Sequence, residues 1–271
     1  MLRLTQRREL SPACPLNKND RTMTATKTPV DEYIVLYGVP WEVYLGIDDA
    51  LGECHLRHTY DQGTLEMRRV VYGVDREGYL SFLDATADFN LRHTYDEGTL
   101  EMMSPRKDHD WVSKLIARMI EALTLAMDLP IQSIGSTTLR AAKGERGIQP
   151  DQTYYLANEP RVRGKDTYEP EKDPPPDLAV EVDVTRTWLP RMPVFASIGI
   201  PEVWRVDRRG RVHFYRLKAR KKEYEPIERS IAFPFLKPAD LMRFIKRRAE
   251  IGETAVVREF VEWAEGKAAA E

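Results

Sequence analysis

The stretch Pro174-Pro-Pro-Asp-Leu-Ala-Val-Glu-Val-Asp-Val-Thr185 decides how the rest of the chain is read. It closes a Pro- and charge-rich connection, 157–176, and its second half, 177–184, reads as a strand. Alternate side chains of a strand face opposite sides. Leu178, Val180, Val182 and Val184 make an apolar face, while Asp177, Ala179, Glu181 and Asp183 share the other. Three carboxylates on one strand face repel each other unless a cation or solvent lies between them. Two readings stay open from this strand alone: an edge strand with a solvated acidic face, or part of a cation site.

Asp151 bears on that choice. It follows the turn Gly147-Ile-Gln-Pro150 and opens a second strand, 150–156, beside which 177–184 can return. An Asp at one strand's start and a Glu within its neighbour can jointly hold a hard divalent cation, which prefers carboxylate oxygens and water. Such an ion suits phosphodiester hydrolysis: it neutralises phosphate, acidifies water and stabilises the leaving oxygen.

Outward from this pair, a short helix is expected near 191–198 and a strand over 202–207. A turn at Arg208-Arg-Gly210 leads to a returning strand, 211–217, and helices over 238–248 and 253–264 follow. Upstream, Ser104-Pro105 starts a helix whose Trp111, Val112, Leu115, Ile116, Met119, Ile120, Leu123 and Met127 recur at spacings of three and four, an apolar stripe facing a core. Strands on a mixed sheet flanked by helices predict an α/β (α+β) domain.

The region before that helix is duplicated. Residues 35–67 and 70–102 align without a gap at an offset of 35, and 20 of the 33 positions are identical. Each copy reads as a short helix (42–51, 77–87) and a hairpin turning at Asp61-Gln-Gly63 or Asp96-Glu-Gly98, where glycine supplies a positive φ. Two copies are too few for a solenoid. The first is a redundant duplicate or serves dimerisation or an extra sheet edge. The expected divisions are a disordered tail, 1–30; an extra helix-hairpin unit, 33–67; one domain, 68–265; and a C-terminal tail, 266–271. Met23 is an alternative start.

Composition narrows the class. Across 271 residues, 41 basic and 43 acidic side chains leave a formal charge of -2, which excludes a histone-like polycation. No apolar run approaches the roughly 20 residues that span a bilayer, so a membrane is not an expected partner. Two cysteines exclude a disulfide scaffold. Without an apolar leader, a cytoplasmic location is the expectation.

Ordered motifs carry a resemblance over roughly residues 70–265. They are Tyr95-Asp-Glu-Gly-Thr-Leu-Glu-Met-Met-Ser-Pro105, Gly135-Ser-Thr-Thr138, Gly147-Ile-Gln-Pro-Asp-Gln-Thr-Tyr-Tyr155, the 174–185 stretch and Gly199-Ile-Pro-Glu-Val-Trp-Arg-Val-Asp207. In these the chain resembles the Uma-type restriction endonucleases, a branch of the PD-(D/E)XK nuclease superfamily. The resemblance implies a restriction-endonuclease-like core and cleavage of DNA that depends on Mg²⁺ (or Mn²⁺). Asp151 falls at the motif's first aspartate and Glu181 at the Glu of its E-x-K element, both as metal ligands, with Asp183 as a third. Asp183 stands where the parent motif has lysine, and Arg191 aligns with a basic position on the following helix that can replace it. Gln149 and Gln152 stand where acidic flanks are expected.

Weaker candidates surround this set. Glu101 can supply an extra acidic ligand, although its twin Glu66 marks it equally as a polar hairpin residue. His109, near a helix start, can contact phosphate or serve structure alone. Residues 205–222 hold nine basic side chains against one acidic, and Arg208, Arg209 and Arg211 suit phosphate contacts or a solvated hairpin face. Trp204 is expected in the core. DNA is the expected partner, with a homodimer as an open option. The competing readings are a non-catalytic DNA-binding or assembly module and an enzyme acting on another substrate.

Overall fold

The computed structural model describes residues 33–51, 58–62, 64–87, 91–103, 107–135, 137–141, 146–183 and 190–269. The expected tail over 1–30 and the alternative start at Met23 lie outside them.

The first copy of the repeat comprises β1 (Tyr33–Tyr37), α1 (Trp41–Leu51), β2 (His58–Asp61) and β3 (Thr64–Arg68). The second comprises β4 (Val70–Tyr72), α2 (Arg76–Ala85), β5 (Arg92–Asp96) and β6 (Thr99–Met103). Their registers correspond: Val35 lies opposite Glu66 as Val70 lies opposite Glu101, and Tyr60 opposite Leu65 as Tyr95 opposite Leu100. In the second hairpin Glu97 (φ 43°) and Gly98 (φ 90°) are both left-handed, so the tight turn strains one non-glycine residue as well as using the glycine. The first copy forms its own sheet, β1-β3-β2, whereas the second continues into a five-stranded sheet, β4-β6-β5-β9-β8, through β8 (Leu139–Arg140) and β9 (Arg146–Ile148). The apolar faces of both copies meet in one core that includes Leu51, Leu65, Tyr79, Phe82, Tyr95 and Leu100.

The six-stranded sheet runs β14-β13-β12-β11-β10-β7. Its strands are β7 (Gln132–Ser133), β10 (Gln152–Tyr155), β11 (Leu178–Val182), β12 (Glu202–Val206), β13 (Val212–Lys218) and β14 (Glu223–Ile227). β11 pairs antiparallel with β10 and parallel with β12, so the sheet is mixed and β11 is a central strand, fully buried, rather than a solvated edge. One face takes α3 (Lys107–Ala126), α6 (Pro238–Ile251) and α7 (Glu253–Ala268). There Leu115, Ile116 and Met119 pack with Val180, Val182, Trp204, Phe214, Phe244 and Phe260. Trp204 is 1% exposed and stacks on Phe214 at 4.5 Å. The opposite face buries Ala179 and Val203 against Val194 and Phe195 of α5 (Arg191–Ile198), together with Leu139 and Ile148 of the five-stranded sheet.

Several elements depart from the expectation. Strands β7, β8 and β9 and the single turn α4 (Glu159–Val162) span two to four residues each, too short to show a period. β14 carries Glu223, Glu225 and Pro226, residues that suit an unpaired sheet edge. Helix α7 continues through Ala268, so residues expected in a tail from 266 are partly helical; Lys267 in its last turn suits the helix dipole. Among the described residues no helix is long and apolar enough to cross a membrane.

Candidate functional site

Strand pairing assembles the site. The β10–β11 register sets Gln152 opposite Val180, so Asp151, one residue before β10, comes beside Glu181 and Val182. Asp151 Oδ2 accepts the Val182 N–H at 2.8 Å, which ties the carboxylate to the neighbouring strand. Asp151 and Glu181 are 1% and 2% exposed. The five-stranded sheet supplies the facing wall. Arg92 pairs with Met103 and Thr94 with Glu101, so alternation puts Arg92, Thr94 and Glu101 on one face; His93, Tyr95 and Leu100 turn to the other.

Each carboxylate of the site meets a guanidinium. Arg92 pairs with Asp151, Arg191 with Glu181, Arg205 with Asp183, and Arg69 with Glu101 at 3.0 Å. Arg205 lies directly opposite Glu181 in the parallel β11–β12 register, within reach of Asp183 just beyond. Arg191, the first residue of α5, is buried. Burial lowers its pKa to about 10; Glu101 opposes that shift, while Arg92, Arg69 and Arg205 add to it. The guanidinium therefore stays charged at neutral pH, inside one field shared by all these groups.

The expected residues divide accordingly. Asp151, Glu181, Asp183, Arg191 and Glu101 come together. Asp177, grouped with Glu181 by alternation, lies at the far end of β11 and accepts from Leu156 N, Asn158 N and Asn158 Nδ2. Arg208 and Arg209 are exposed in the turn after β12, at the sheet end where Asp183 N donates to Val206 O. Arg211 is held by Asp207, whose carboxylate also accepts the Arg209 and Arg211 N–H groups. His109 lies in the first turn of α3, and its side chain is outside the described set, as is that of Glu66. Of the two glutamines, Gln152 reaches Ser113 Oγ at 3.4 Å and Gln149 borders a cavity of about 280 Å³ with Leu91, His93 and Arg140.

Arg69, Arg92 and Arg205 went unrecognised from sequence. Arg205 had a signal: once 178–182 and 202–206 are set parallel, the only basic residue of the second strand falls opposite the only acidic residue of the first. His93, behind Arg92, is buried and neutral. Leu91 O can only accept, so Nδ1 carries the proton (3.4 Å), and Tyr79 Oη donates to Nε2 (3.0 Å).

Chemically, the donor set suits a hard cation. Its oxygens are carboxylates, and Glu181 Oε2 is buried and accepts no hydrogen bond among the described residues. Also among the described residues, no three His, Cys, Asp or Glu side chains are already grouped to hold a metal. The arginines balance the charge instead.

No curated protein matches the chain. A similar solved structure, from Anabaena variabilis ATCC 29413, is described as "a putative nuclease belonging to DUF820"; it is 15% identical, with a TM-score of 0.43 over 60% of this chain and 98% of that one. The model of the Uma2 family, "Putative restriction endonuclease", matches residues 80–243, more than half of the sequence and inclusive of every residue from Arg92 to Arg205 in the cluster, and the chain belongs to that family.

Proposed function

We propose that the chain is an endonuclease that hydrolyses DNA phosphodiester bonds with Mg²⁺ or Mn²⁺ held by Asp151 and Glu181. The observation that carries this reading is the adjacency of two buried carboxylates, one just before β10 and fixed by the Val182 amide, the other on β11 with an oxygen that accepts no hydrogen bond among the described residues. Two carboxylates, with water and substrate oxygens, are a sufficient protein share for Mg²⁺. Asp183 joins them when Arg205 turns away. A bound ion supplies charge neutralisation and a more acidic water.

The chain's own groups do the remaining work. Asp151 and Glu181 orient the reacting centre from rigid strands. Arg191 and Arg92 face the phosphate with fixed positive charge; neither accepts a proton, since a guanidinium stays protonated. Glu101 is a positioning residue, holding Arg69 and acting on the charge of Arg191. Arg208 and Arg209 contact flanking phosphates, with His109 as a further contact.

Incubating DNA with the protein and Mg²⁺ or Mn²⁺, beside Glu181→Ala, tests this reading. Metal-dependent nicking lost in the variant supports it, and equal nicking by both proteins refutes it. A second reading, a DNA-binding or assembly module without cleavage, is favoured by the Asp183–Arg205 ion pair at the position where the parent motif has lysine. Salt-dependent DNA binding with no metal-dependent cleavage is its signature.

A further inference from the structure

Charge at the site is closed without a metal. Glu101, Asp151, Glu181 and Asp183 contribute four negative charges, and Arg69, Arg92, Arg191 and Arg205 contribute four positive ones. All but Arg205 are largely withdrawn from water, where charges interact strongly. Adding a divalent ion to such a neutral cluster leaves it two charges positive, and a buried excess charge is costly. Two events relieve the excess: a guanidinium turns out, or a polyanion arrives.

We propose that Arg92 and Arg191 are exchangeable counter-ions, occupying Asp151 and Glu181 until a divalent cation displaces them, and then engaging DNA phosphates. This rests on the metal-dependent reading above and adds a regulation to it: the ion and DNA load together. Arg92 is the more accessible of the two. Its side chain is 15% exposed against 7% for Arg191, and it enters from the five-stranded sheet while Asp151 leads into β10 of the other. Coupling is reciprocal, so DNA must tighten the ion by the factor by which the ion tightens DNA.

The test is Mn²⁺ binding, followed by electron paramagnetic resonance of free Mn²⁺ and by the Mn²⁺-induced rise in melting temperature, without DNA. Wild type is compared with Arg92→Ala, Glu181→Ala and, as a surface control, Arg76→Ala. Removing Arg92 should tighten Mn²⁺ by roughly tenfold or more and enlarge the thermal shift, while Arg76→Ala matches wild type. A purely structural Arg92 lowers the melting temperature without improving Mn²⁺ affinity, and that result overturns the exchange. If Glu181→Ala alone abolishes binding in that case, the metal site stands and only the exchange falls. If no protein binds Mn²⁺, with or without DNA, both fall. Should Arg92→Ala not fold, the wild type decides: a short duplex must tighten Mn²⁺ by a similar factor, after subtraction of binding to DNA alone, and an unchanged affinity overturns the proposal.

Discussion

Acid should destabilise this protein through His93 before its carboxylates titrate. Burial lowers the folded pKa from 6.5 to about 4; the hydrogen bond to the Leu91 carbonyl works against this, and the charge of Arg191 adds to it. Between those values the unfolded chain takes up a proton that the folded protein refuses. Stability from this group is therefore complete above pH 6.5 and lost progressively as pH falls toward 4; below that the folded state also binds the proton and the loss stops. The full loss is roughly 3 kcal/mol, at 1.4 kcal/mol for each tenfold difference in proton affinity. Urea midpoints between pH 7.5 and 4.5 measure it, with His93→Gln as reference. The variant keeps a partner for Tyr79 but has no proton to take. Its stability should fall over that window by about 2 kcal/mol less than wild type. Asp207, held well below the usual carboxylate range by hydrogen bonds from Arg211, Arg209 and His213 against the effect of burial, loses its contribution only at lower pH. Parallel curves for wild type and variant would refute the argument.

The remaining predictions concern packing, charge and DNA. Gly147→Ala puts a Cβ into the Tyr79 hydroxyl and within 3.0 Å of its Cζ, so it should cost about 1–3 kcal/mol in urea denaturation and flatten the His93 acid response by disturbing the Tyr79–His93 bond. Glu181→Ala removes the carboxylate paired with enclosed Arg191 and should lower stability by about 3 kcal/mol, with Glu181→Ala/Arg191→Met recovering part of it by calorimetry. Trp204→Ala empties the stack on Phe214 and should cost about 3–5 kcal/mol, read from denaturation midpoints. Arg208→Ala/Arg209→Ala should weaken DNA binding on any sequence and reduce the slope of log affinity against log salt by about two, measured by fluorescence anisotropy.

The central strand, its neighbour and the duplicated hairpins were legible because each is a local pattern. Alternation over 177–184 and the offset of 35 need only nearby residues to be seen. The turn expected over 147–150 is in part strand, because Gly147 and Ile148 pair with Tyr95 and Thr94 of β5. The placing of Asp151 beside Glu181 was legible for the same reason, as two strands joined by one connection. What escaped was short or non-local. Strands β7 to β9 hold two or three residues and exist through the neighbours they pair with. β11 was readable as an acidic edge because alternation does not say what covers a face; β12 on one side and β10 on the other make it central.

Sequence by itself therefore determined β10 to β13, the two hairpins, the long amphipathic helix and the internal repeat. These follow from backbone stereochemistry and from periodicity along one segment. Only the tertiary structure decided what neutralises the acids. Arg69 reaches Glu101, Arg92 reaches Asp151 and Arg205 reaches Asp183 because two sheets and the start of α5 converge there. The physical reason is that a buried charge takes its partner from whatever the packing brings within a few ångströms, and chain spacing carries no record of that choice.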